Sequence, residues 1–164
     1  MRPGIGTIVF GTCLLVTGLP AAARAQESRL VGRLPDATRA QVDAIVLEAR
    51  TAGLPTEPLV DRALEGAAKR APSDRIVAAV ARLRDELRVA RVAFGEAAST
   101  GELAAGASAL RAGATRDDLA RLRSLRSGHS LTIAAAVLAD LVAAGVPADT
   151  GIAAVLALAP NARD

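Results

Sequence analysis

A recurring stop signal constrains this chain more than any other feature. Ala52-Gly53-Leu54-Pro55 returns as Ala144-Gly145-Val146-Pro147, and in looser form as Ala112-Gly113-Ala114-Thr115. A glycine just past a helix takes the left-handed conformation without steric cost. The next apolar residue then folds back on the last turn, and proline forbids continuation. Each stop is followed by a start: Thr56 after Pro55, Asp149 or Thr150 after Pro147, and Thr115 with Asp118 as a capping box. Leu34-Pro35-Asp36 and Ala71-Pro72-Ser73 read as further starts of the proline-plus-cap kind. Starts near 35, 55, 72, 115, 131 and 147 suggest a degenerate helical repeat.

This punctuation predicts an all-α fold of seven short helices near 36–52, 56–70, 73–97, 100–112, 115–126, 130–143 and 148–159. Short connections make successive helices antiparallel neighbours, in a solenoid-like stack or an irregular bundle. No period-two run of β-branched residues competes with this reading. Composition agrees, because the apolar share is mostly Ala, Leu and Val, and Ala, Leu and Arg are strong helix formers. Nineteen of the 20 basic residues are Arg, which with the abundant Ala points to a GC-rich bacterial source. In the third helix Ile76, Val80, Leu83, Leu87, Ala90 and Phe94 step by 4 or 3, which is a core-facing stripe. Val137, Leu138, Leu141 and Val142 with Ile152, Val155, Leu156 and Leu158 make the last two helices almost wholly apolar, and so either central to the core or part of a partner-binding surface.

The first 25 residues speak of location. Arg2 is followed by an uncharged run with its apolar centre at Ile8-Val9-Phe10 and Cys13-Leu14-Leu15-Val16, then by Pro20 and Ala23-Arg24-Ala25. A charged start, an apolar middle and an Ala-x-Ala end describe a secretory signal peptide, cleaved between Ala25 and Gln26. Retention of the run as a membrane anchor is the alternative, disfavoured by its many Gly and Thr residues. On this reading residues 26–34 form a flexible mature N-terminus and 35–164 a single helical domain.

Cleavage would change what the domain has to work with. Arg2 and Arg24 leave, so 18 basic residues face 17 acidic ones, and Cys13 leaves, so no disulfide can form. Phe94 is the one aromatic residue beyond the leader. A near-neutral chain without stacking platforms excludes the usual nucleic-acid surface. His129 is the lone histidine, in Ser127-Gly128-His129-Ser130. It could serve as a general base, but no nucleophile elbow, zinc spacing, calcium loop or phosphate loop accompanies it. The plainer reading makes His129 a loop residue and Ser130 the cap of the next helix.

Arg84, Arg88 and Arg91 lie within an arc of about 60° beside the apolar stripe. Like charges so placed call for neutralisation by the fold or by an anionic ligand. The preceding helix offers Glu57, Asp61 and Glu65 at i, i+4 spacing, within reach of Arg84 but not of Arg88 or Arg91. Arg116, Arg121, Arg123 and Arg126 form another basic cluster, with Asp117 placed to pair with Arg121.

The function this implies is an exported, periplasmic or secreted helical module of the cell envelope that binds or scaffolds rather than catalyses. It would have no cofactor and no metal. Arg84, Arg88 and Arg91 are the candidate contact for an envelope protein or an anionic ligand. The alternatives are an envelope hydrolase using Asp85, Glu86, Asp117 or Asp118, or a membrane-anchored helical domain.

Overall fold

In a computed structural model the described residues are 29–158. They form seven helices and no strand: α1 Asp36–Thr51, α2 Glu57–Ala68, α3 Ser73–Phe94, α4 Thr100–Ala112, α5 Arg116–Leu125, α6 Thr132–Ala143 and α7 Ala148–Leu158. The proposed leader and its cleavage site at Ala23, Ala25 and Gln26 lie outside the described residues.

The three stops form as their chemistry dictates. Gly53, Gly113 and Gly145 have φ of 68°, 119° and 88°. The residue after each donates its N–H back to the helix, Leu54 to Ala49, Ala114 to Ala109 and Val146 to Leu141, at 2.9–3.0 Å. This six-to-one bond satisfies a carbonyl that the helix leaves open. A fourth stop of the same design closes α2, where Ala71 N–H donates to Gly66 O at 3.0 Å. Its left-handed residue is Arg70, at φ 53°, so the sequence hides it. The long helix ends at Phe94, before the expected 97, because Gly95 turns the chain at φ 92°.

The starts differ more from expectation. Thr115 and Asp118 form the capping box. Thr56 makes no capping bond with its side chain. At α1 and α3 the proline itself occupies the cap position. Its extended ψ and free carbonyl suit that place, with Arg39 N–H on Pro35 O at 2.9 Å and Ile76 N–H on Pro72 O at 3.1 Å. Asp36 and Ser73 therefore sit inside their helices and do not cap them.

The helices form an irregular bundle around α3, which packs on α1, α2, α4 and α5. All six residues of its predicted stripe are buried. Helices α2 and α4 run antiparallel to α3, whereas α1 runs parallel to it, with Glu48 beside Arg84 and Gly53 beside Arg91. Helix α4 makes its largest interface with α6, two helices on, while α4 and α5 share little. The α3–α4 approach depends on Gly106, where a Cβ would stand 2.7 Å from the Phe94 ring and 3.0 Å from Ala90. Small residues thus supply the density that aromatics supply elsewhere.

The C-terminal pair is not the centre of the core. Leu138, Ile152 and Val155 are buried, but Val137, Leu141, Val142 and Leu156 are half-buried at the edge. Within residues 29–34, Arg29, Val31, Gly32 and Arg33 are exposed and Leu30 and Leu34 are buried. Leu30 and Leu34 belong to the core, because a chain with few large side chains recruits those next to its first helix.

Candidate functional site

The three arginines of α3 share an arc but not a role. Arg84 reaches Glu48 on α1 with Nη1, and holds Asp85 Oδ1 through Nη2 at 3.0 Å and Nε at 3.2 Å. Arg91 is the most buried of the three. Its Nη2 donates to Gly53 O at 2.9 Å, in the turn that ends α1, and its Nη1 meets Glu96 at 3.0 Å. A cation here answers both the open carbonyl and the negative end of the α1 dipole. Arg88 differs, because its side chain is 68% exposed and makes only a long 3.3 Å bond to Asp85. Val92, one turn further, is 66% exposed on the same side of α3.

The acidic stripe of α2 does not meet Arg84, contrary to expectation. Glu57 and Asp61 hold Arg29, the latter at 2.7 Å, and Glu65 holds Lys69 at 2.6 Å and Arg62 at 3.1 Å. The reason is rotational. The stripe lines a groove of about 530 Å³ between α2 and α4, floored by Leu83, whereas Arg84 faces α1. The hydrogen bonds that Arg29 donates to Asp61 and then to Glu57 raise its pKa. The bond from Lys69 and the charge of Arg62 lower that of Glu65.

The second basic cluster is also dispersed. Arg121 crosses to Asp149 of α7 at 2.9 Å, and Asp117 pairs with its neighbour Arg116 at 3.0 Å, so the expected Asp117–Arg121 pair does not form. Arg126 is buried. Arg123 lies over the Phe94 ring, 5.7 Å from its centre, and donates to Glu102 at 3.2 Å.

Glu102 is the residue that sequence reasoning missed. It is 7% exposed. One carboxylate oxygen accepts the Ser99 N–H at 2.8 Å and so closes the capping box at the start of α4. The other accepts the Leu131 N–H at 2.9 Å, at the start of α6, together with Arg123. One side chain therefore serves two helix starts and an arginine from a third helix. Burial pushes its carboxyl up, but the bonds from Ser99 and Leu131, aided by Arg123, hold it below the ordinary glutamate value. The signal was present as Ser-x-x-Glu before an apolar run, which is a capping-box pattern.

His129 is exposed in the α5–α6 loop, where its N–H donates to Arg126 O at 3.2 Å and its carbonyl accepts from Arg123 at 3.4 Å. Ser130 receives the Thr132 N–H at 3.3 Å, while Glu102 takes the preceding Leu131 N–H. Of the carboxylates an enzyme would recruit, Glu86 takes two bonds from Arg111, Asp85 holds Arg84 and Arg88, Asp117 holds Arg116, and Asp118 caps α5. No group of three metal-ligating side chains occurs among the described residues, and no described helix is long and apolar enough to cross a membrane. No protein-family model, curated protein or solved structure matches the chain.

Proposed function

We propose that the protein is an exported helical binding module of a bacterial cell envelope, and that it meets its partner through the solvent side of α3 around Arg88. The observation that carries this reading is the contrast within one stripe. Arg84 and Arg91 are committed to α1, whereas Arg88 presents a largely free guanidinium next to an exposed Val92. A cation with a forked donor set beside an apolar side chain suits an acidic group on a protein partner. The engagement of Asp85, Glu86, Asp117 and Asp118 in ion pairs and a cap supports a non-catalytic role.

The test is complementation of a deletion strain. Arg88→Glu should lose function while retaining helical circular dichroism, and His129→Ala should retain function. Reversing all three arginines would be a poor test, since Arg91→Glu would set a carboxylate against Gly53 O and Glu96 and damage the fold itself. Loss with His129→Ala and retention with Arg88→Glu would move a catalytic reading to first place.

A further inference from the structure

Between the leading segment and the second half of α2 lies a cavity of about 670 Å³. Small-molecule sites commonly run from about 300 to 1,000 Å³ and combine an apolar lining with a few placed polar groups. This cavity has both. Leu64, Ala67 and Ala68 line its α2 side, and Val31 faces them from the leading segment. The cationic groups are Arg29 and Arg33. Their states differ. Arg29 is neutralised by Glu57 and Asp61. The guanidinium of Arg33 makes no ion pair among the described residues. Val31, 60% exposed, leaves apolar surface in water next to that charge.

We propose that this cavity binds a small single-chain amphiphile with an anionic head, in chemical class a fatty carboxylate. The head would pair with Arg33, whose planar fork matches a carboxylate. The tail would cover Val31 and lie along Leu64, Ala67 and Ala68, removing their exposed apolar surface from water. The leading segment is firm enough to form one wall, because Leu30 and Leu34 anchor it in the core on either side of Val31 and Arg33. This site is separate from the α3 face and does not depend on export, so either reading can fail alone.

The test is isothermal titration of the purified protein with monomeric dodecanoate, with amide shifts in NMR spectra to locate the site. We expect one molecule bound, with shifts at residues 31–33 and 64–68 and none around Arg88. Arg33→Glu, an exposed substitution, should weaken binding at least tenfold. Ala67→Phe should abolish it by filling the cavity. Dodecyltrimethylammonium, with the same tail and a cationic head, should not bind. No binding of dodecanoate, equal binding of the cationic analogue, or indifference to Arg33→Glu would each overturn the proposal. Association with phosphatidylglycerol vesicles without binding of monomeric dodecanoate would also overturn it, in favour of docking on a membrane surface.

Discussion

Arg91 and Glu102 solve the same problem at different helix ends with opposite chemistry. Arg91 brings N–H donors to the spent end of α1, and Glu102 brings acceptors to the starts of α4 and α6. Arg91 reaches across from another helix, whereas Glu102 caps its own helix and reaches across to α6, and neither belongs to a charged face in the sense that a helical wheel suggests. Their surroundings differ. Glu102 is enclosed and serves three partners, whereas Arg91 keeps an edge in water and shares its charge with the 91%-exposed Glu96. The same type of bond should therefore matter more at the first site, because a buried polar group left unpaired cannot turn to solvent. Arg88 completes the series as a charge with little structural duty.

Glu102→Ala breaks this comparison most forcefully. It orphans the Ser99 and Leu131 N–H groups and leaves Arg123 without its carboxylate, so a loss of about 3–5 kcal/mol is expected in urea unfolding. A cost under ~1 kcal/mol would mean that water replaces the carboxylate and that the junction is not the clasp described here.

Acid sharpens the same point. The Glu102 carboxyl is held below its ordinary value of 4.5, so the ionised form stabilises the fold fully above about that pH, and the contribution fades as pH falls through the lower folded value. Glu102→Gln should flatten the acid limb of the stability curve below pH 4.5. Parallel curves for the two proteins would show that other carboxylates govern acid unfolding.

Arg91→Ala should cost about 1–2 kcal/mol, since Gly53 O can recruit water at the protein edge. Amide exchange should quicken at Gly53 and Leu54 before it does elsewhere. Arg88→Ala should stay within about 0.5 kcal/mol of the parent. A larger loss there would make Arg88 a structural arginine like its neighbours.

Much of the fold was legible because its signals are local. Glycine at a left-handed cap, the 4–3 stepping of Ile76 to Phe94 and the Thr115–Asp118 box depend on neighbours in sequence. The expectations that failed needed distant geometry. Arg84 turned from α2 to α1 because the parallel placement of α1 is not written in any short segment. Arg121 left Asp117 for Asp149 because α7 lies across α5. The burial of Leu30 and Leu34 is likewise not marked by anything local. Arg70 closes α2 in the left-handed conformation without the glycine that marks the other stops, so no residue type in the sequence announces it. The proposed contact face was legible only as three arginines, and separating Arg88 from the other two required knowing where α1 ends.

The most direct test of the account is site-specific photo-crosslinking in living cells, with the reactive side chain placed at position 92, beside an intact Arg88, and, as a control on another exposed side of α3, at position 82. The account predicts a discrete envelope-protein adduct from position 92, none from position 82, and loss of the adduct when Arg88 is replaced by Glu. Adducts of equal yield from both positions, or none from position 92 in a strain where the protein is functional, would contradict it.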